Sequence, residues 1–161
     1  MKNTLVIILA LEAAFLLEGT VRYLPGVSLR MDLVWVIALY VGFFVPYGLG
    51  LALMILIAFM QETLGGAFHG LLLFSYLSVF MLVRVASRQI FLQRKTPQVI
   101  WVTVLTTVRL LLENGILYWQ GYAPVFSWET LGVNAVLNGL ASLIIFPILA
   151  RYIQFESPYG Y

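Results

Sequence analysis

Few residues of this 161-residue chain could do chemistry, and the most conspicuous group lies in one stretch, IAFMQETLGGAFHGLLLF at positions 57–74. It contains the amide Gln61, the carboxylate Glu62 and the only histidine, His69. A catalytic zinc site takes about three protein ligands, often from an H-E-x-x-H motif, and one histidine with one glutamate is too few. The sequence therefore predicts no metal ligands, and we interpret His69 as a side chain at the start of a helix.

Nucleophilic catalysis has equally little support in the sequence. No G-x-S-x-G motif is present, and Ser75 and Ser78 fall within an apolar run. The absence of cysteine excludes disulfide and thiolate sites. The chain also has no basic stripe of the kind that binds nucleic acid. We therefore expect a protein that is not an enzyme, with no catalytic residue, no cofactor and no nucleic-acid partner.

Charged residues well away from the ends of apolar segments form the second group, and they are Glu12, Arg109 and Glu113. A charge at the centre of a membrane helix costs roughly 2.5–3.5 kcal/mol, so each must face protein or be neutralised. We predict an intramembrane polar network of these three residues. Glu12 and Arg109 would pair, because both lie roughly 15–18 Å from the predicted cytoplasmic ends of their helices. The alternative is that Arg109 pairs with Glu113 alone and Glu12 is a neutral acid.

Amide and hydroxyl side chains extend this pattern. Thr106 lies on the same helical face as Arg109, and Asn134, Asn138 and Ser142 recur every four residues in the last apolar segment. Such stripes either line a ligand cavity or bond one helix to another, and the second use is the commoner. The sequence alone leaves both interpretations open.

Six apolar segments would position these residues. The composition is 62% hydrophobic and 10% charged, which is more apolar than a soluble domain of this length can bury. A helix needs about 20 mainly apolar residues to cross a membrane, and we predict spans at 3–22, 32–45, 47–64, 69–88, 98–119 and 130–153. They predict an all-α integral membrane protein, a compact bundle of six transmembrane helices forming one domain over residues 1–161.

The second and third spans are separated only by Val-Pro-Tyr-Gly at 45–48. Pro46 lacks a backbone N–H and Gly48 permits a tight turn, so we favour two spans. The alternative is a single kinked segment, which would give five spans. Small residues separated by three positions, such as Gly66 with Gly70 and Ala135 with Gly139, predict close approach between helices.

The basic residues predict the orientation, because short cytoplasmic loops carry an excess of lysine and arginine. The loop at 84–97 contains four such residues and the loop at 120–129 contains none. With six spans, the first loop lies inside, the second lies outside and both termini are cytoplasmic. Lys2 and Arg151 agree with this orientation, whereas Arg22 and Arg30 oppose it.

The corner between the third and fourth spans resembles the rod-shape-determining protein MreD family. In both, an apolar helix ends in glutamine and an acid, a glycine turn follows, and a glycine opens the next apolar helix. The matching residues are Gln61, Glu62, Gly65, Gly66 and Gly70. The resemblance implies that these residues and Asn138 are candidates for packing or partner binding.

The likeness extends over about residues 30–152. Asp32 opens the second span, a basic loop follows the fourth, and Asn138 and Pro147 lie in the last helix, as they do in that family. Two departures are Glu62, where aspartate is more usual, and Met31, where proline is more usual. Neither departure changes the six-helix architecture.

The resemblance implies a non-enzymatic, multi-pass scaffold of the bacterial cytoplasmic (inner) membrane that supports peptidoglycan synthesis and rod cell shape. Its partners would be MreC, through the MreC transmembrane helix and nearby region, and directly or indirectly MreB, RodA and a class B penicillin-binding protein, with membrane lipids around the bundle. That family is thought to share its fold with substrate-binding components of energy-coupling-factor vitamin transporters. The alternative function is therefore a component that binds a vitamin or micronutrient for transport.

Overall fold

The computed structural model describes residues 2–22, 32–65, 70–87, 95–122 and 128–153. All regular structure within these ranges is helical. The helices are α1 (Lys2–Arg22), α2 (Leu33–Phe44), α3 (Tyr47–Gly65), α4 (Leu71–Ala86), α5 (Lys95–Trp119) and α6 (Trp128–Tyr152). Each coincides within a few residues with one of the predicted segments, so the all-α bundle is confirmed for the described part of the chain.

The second and third segments are separate helices, so the alternative of a single kinked helix is wrong. The amide of Val45 closes α2 on Val41, and the amide of Gly50 opens α3 on Pro46. A Cβ atom built on Gly50 would lie 3.5 Å from the Val41 carbonyl oxygen. On a continuous helix, positions nine residues apart would be roughly 13 Å apart, so the chain folds back on itself at Pro46.

Helix α2 lies at the centre of the bundle. All of its residues from Val34 to Phe43 are buried, and it packs against α1, α3, α4 and α6. This explains why the segment is apolar on every face, because a helix surrounded by others has no polar side. The indole of Trp35 meets the ring of Tyr76 edge to face, with centroids 4.8 Å apart.

The outer surface of the bundle is apolar and several of its buried side chains are charged or polar. Leu16 is 74% exposed and Val85 is 70% exposed, whereas Arg109 is only 6% exposed. A water-soluble fold has the opposite arrangement. By length and composition, α3, α5 and α6 are apolar enough to cross a membrane, and α2 and α4 are shorter apolar helices.

One of the predicted small-residue contacts is a close approach of two helices. Gly139 lies where α6 crosses α5, and an added Cβ atom would lie 3.1 Å from the Val99 carbonyl oxygen and would collide with the Thr103 hydroxyl. By contrast, nothing lies within 4 Å of a Cβ built on Gly70. Gly70 instead has φ of +89°, a left-handed conformation that glycine adopts without steric cost.

Candidate functional site

The start of α2 is held by carboxylates from two directions. Asp32 is its N-cap, and Oδ1 accepts a 2.7 Å hydrogen bond from the Trp35 amide. Glu18 of α1 accepts a 2.9 Å hydrogen bond from the Val34 amide. Both acids lie at the positive end of the helix dipole, where negative charge is stabilising. The amide of Asp32 itself donates to Oδ1 of Asn138 on α6 at 2.9 Å.

Arg109 of α5 is the only described cation in this region, and it forms ion pairs with two acids. Its Nη1 lies 2.5 Å from Oδ2 of Asp32, and its Nε lies 2.6 Å from Oε1 of Glu113. Its guanidinium carbon also lies 4.6 Å from the Trp35 ring centroid and 4.8 Å from that of Tyr76. The guanidinium is therefore enclosed by two carboxylates and two aromatic rings, an arrangement that favours the charged form.

Neutral side chains complete the hydrogen bonding around these charges. Tyr76 donates to Oε1 of Gln61 at 2.5 Å, and the Gln61 amide donates to Asp32 at 3.3 Å. The Ser75 hydroxyl donates to Glu113 at 2.9 Å. We call the following residues the Asp32 cluster: Asp32, Gln61, Tyr76, Arg109, Glu113 and Asn138. With Glu18 beside it, every one of the six helices contributes a polar side chain to this region.

The Asp32 cluster lies about halfway along α5 and α6 and close to the ends of α3 and α4 that flank residues 66–69. Arg109 is ten residues from the end of α5 at Trp119, and Asn138 is ten residues from the start of α6 at Trp128, which is roughly 15 Å in each case. Because Asp32 bonds to both side chains, α2 begins at this depth. With 12 residues, α2 is only about 18 Å long.

The two predicted polar stripes bond helix to helix. Thr106 of α5 accepts a 3.0 Å hydrogen bond from the Trp35 indole. On α6, Asn138 bonds to Asp32, while the backbone carbonyl of Ser142 accepts a 2.6 Å hydrogen bond from Gln98 of α5. The first bond joins α2 to α5, the second joins the start of α2 to α6, and the third joins α5 to α6. Bonding between helices is the structural use that such stripes most often have.

The predicted pair of Glu12 with Arg109 is wrong. Glu12 is exposed on α1, and the acids that contact the guanidinium are Asp32 and Glu113. The alternative prediction, in which Arg109 pairs with Glu113 alone, identified Glu113 correctly and missed Asp32. The predicted intramembrane network therefore keeps Arg109 and Glu113, loses Glu12 and gains Asp32. A signal for Asp32 was present, because an aspartate directly before an apolar run is a typical helix N-cap.

The residues of the predicted corner have different roles in the chain. Gln61 belongs to the Asp32 cluster, and Glu62 accepts a 2.9 Å hydrogen bond from the Leu73 amide in the first turn of α4. Gly65 is the last residue of α3. The remaining predicted residues of the turn, Gly66 and His69, lie outside the described residues.

The contact of Glu62 with α4 leads to a stability prediction. Replacing Glu62 with leucine should destabilise the protein by about 1–2 kcal/mol, because the Leu73 amide loses its acceptor at the positive end of a helix dipole. Glu62→Gln keeps an acceptor oxygen and should cost less than half as much. Thermal unfolding of the purified protein in detergent measures both. Glu12→Leu is the matched control, since it removes an exposed glutamate; equal losses for Glu62→Leu and Glu12→Leu would contradict the prediction.

Comparison of the chain with family models, with curated proteins and with solved structures finds no match.

Proposed function

We propose that this protein is a non-enzymatic scaffold of the bacterial cell-elongation complex in the cytoplasmic membrane. It would bind MreC and, directly or through it, MreB, RodA and a class B penicillin-binding protein. The observation that carries the proposal is how its polar groups are distributed. Arg109 pairs with Asp32 at the start of α2 and with Glu113 on its own helix, and Ser75 of α4 bonds to Glu113. Large apolar side chains cover the outside. Such a protein offers its surroundings helix surfaces, which are what other membrane helices bind.

The resemblance of Gln61, Glu62, Gly65, Gly66 and Gly70 to the MreD corner supplies the identity of the partners. The described geometry adds that Glu62 joins α3 to α4 on the two sides of this corner. This bond holds the adjacent ends of α3 and α4 together, because the two helices cannot slide past one another without breaking it.

The proposed orientation has six spans with both termini in the cytoplasm. Arg84, near the end of α4, donates a hydrogen bond to the Val45 carbonyl, so the basic end of α4 and the turn at Pro46 lie at the same end of the bundle. Trp119 at the end of α5 is 88% exposed, as expected for a tryptophan at a membrane interface.

Cysteine labelling tests this orientation, since the natural chain contains no cysteine. We expect Ser127→Cys to react with a membrane-impermeant maleimide added to intact spheroplasts, and Gln93→Cys to react only after the membrane is opened. The two variants serve as controls for each other. Labelling of Gln93→Cys from outside would overturn this orientation.

The proposed function itself is tested by co-purification and by depletion. MreC should co-purify with the tagged protein from solubilised membranes, and cells depleted of the protein should lose rod shape. A matched sample from cells expressing an unrelated six-span protein with the same tag measures background. Failure to recover MreC together with unchanged cell shape on depletion would reject the proposal.

A second candidate, the substrate-binding component of a vitamin transporter, draws support from α2. Transporter sites often use the ends of short helices near the middle of the membrane, and α2 is a short helix that begins beside Arg109, about halfway along α5. Here, however, the first amides of α2 are bound by Asp32 and Glu18. A vitamin that co-purifies with the protein, identified by mass spectrometry, would favour this function over the scaffold.

A further inference from the structure

Helix α1 has two opposite faces. Its packed face carries Ile7, Leu11 and Ala14, which are buried. At 100° per residue, positions 5, 9, 12 and 16 lie together on the opposite side of the helix. Leu5, Leu9 and Leu16 are all more than half exposed there, and Glu12 is exposed in their centre. We call the residues Leu5, Leu9, Glu12 and Leu16 the outer face of α1.

Glu12 occupies the middle of this helix. It lies ten residues from Lys2 and ten from Arg22, the first and last residues of α1, or roughly 15 Å from each end. The whole helix is about 31 Å long, which matches the hydrocarbon thickness of a bilayer. In the membrane placement of the proposed function, on which this inference rests, Glu12 lies at the centre of the bilayer.

A carboxylate at the centre of a bilayer is energetically unfavourable when it faces lipid. Acids within membrane helices almost always face protein and pair with a cation or a hydrogen-bond donor. The described part of this chain offers Glu12 no ion pair, and the nearest candidate predicted from the sequence, Arg109, is bound to other acids. A cation that pairs with Glu12 can therefore be supplied by another molecule.

We propose that the outer face of α1 is the docking site for a membrane-spanning helix of another protein that carries a lysine or arginine near its middle. The leucines supply an apolar contact on both sides of the charge, and Glu12 fixes the depth at which the partner helix sits. Charge complementarity selects this occupant over a second copy of the chain. Two copies packed through this face would bring two mid-membrane carboxylates together, whether the helices were parallel or antiparallel.

Synthetic peptides test the proposal directly, whatever the natural partner is. Leucine–alanine peptides of about 23 residues, with lysine or leucine at the centre and a dansyl group at one end, are titrated against the full-length protein in phospholipid vesicles. Energy transfer from the protein's tryptophans to the dansyl group reports association. We expect the lysine peptide to bind about 3- to 15-fold more tightly than the leucine peptide, as measured for polar contacts between membrane helices.

Variants of Glu12 test whether this side chain causes the preference for the lysine peptide. Glu12→Leu should abolish the preference for the lysine peptide, and Glu12→Gln should reduce it. Both should leave thermal unfolding of the protein no worse, because Glu12 is exposed. A photo-crosslinking residue at Leu16 should capture the lysine peptide, whereas one at Leu140, which is exposed on α6, should not.

Several outcomes would overturn the proposal. These are equal binding of the two peptides, a lysine preference that survives in Glu12→Leu, and crosslinking of two protein copies through Leu16 that is lost in Glu12→Gln. Such a crosslink would show that the outer face of α1 binds a second copy of the protein. Failure of MreC to co-purify, together with unchanged cell shape on depletion, would reject the proposed function but not this inference, because the peptide preference does not depend on the identity of the natural partner.

Discussion

Replacing Arg109 with methionine is expected to destabilise the protein by about 3–5 kcal/mol and to leave little folded material after extraction into detergent. The substitution removes the cation that contacts Asp32 and Glu113, so two carboxylates remain enclosed without charge compensation. It also removes the guanidinium from its contacts with the rings of Trp35 and Tyr76. The yield of monodisperse protein and its midpoint of thermal unfolding measure the loss.

Two further variants separate the charge effect from a general intolerance of substitution. Arg151→Met changes an exposed arginine at the end of α6 and should alter the unfolding midpoint little. Combining Arg109→Met with Asp32→Asn and Glu113→Gln should recover part of the loss, since replacing a whole ion-pair group costs less than removing one partner. Equal destabilisation by Arg109→Met and Arg151→Met would contradict the central role of Arg109.

The second large effect is expected at Gly139. A leucine there would force α6 away from α5, because even a methyl group meets the Val99 carbonyl oxygen and the Thr103 hydroxyl. Overpacking of a close contact costs about 1–3 kcal/mol and occasionally more, and we expect the upper part of that range, because Val99 contributes a backbone atom that cannot rotate away. Thermal unfolding in detergent checks the prediction.

Gly132 provides a matched control on the same helix. Nothing lies within 4 Å of a Cβ built on it, so Gly132→Leu should be neutral or mildly stabilising, as expected from helix propensity. Gly139→Ala should be partly rescued by Thr103→Ala, which removes the hydroxyl that the new methyl group meets. If Gly132→Leu and Gly139→Leu unfold at the same temperature, α5 and α6 do not approach as closely as described.

The helices were predictable because each consists of one apolar run with a local break at its end. Pro46 removes a backbone donor and Gly70 takes a left-handed conformation, and both effects act within a few residues of chain. The central position of α2 in the bundle was harder to predict from the sequence. Its short length was visible, but only the contacts of Asp32 with Arg109 and Asn138 show that it begins halfway along α5 and α6.

The ion-pair partners of Arg109 were predicted less well than the helices, for a geometric reason. Counting residues from helix ends gives the depth of a side chain but not the direction in which it points. Glu12 and Arg109 have similar predicted depths, yet Ile7, Leu11 and Ala14 form the packed face of α1, so Glu12 lies on the other side. Choosing between candidate acids required knowing which helix faces meet, and that depends on the packing of the whole bundle.

The hydrogen bond between Asn138 and the Asp32 amide also constrains the order in which the chain completes its structure. Its two residues are 106 positions apart, so at about 5–20 residues per second a ribosome needs about 5–20 s to reach the second after the first. During that interval the Asp32 amide must bond to water or to another protein, because a buried backbone donor does not stay unpaired. A nascent chain that stalls before α6 is made therefore lacks the bond that ties the N-cap of α2 to α6.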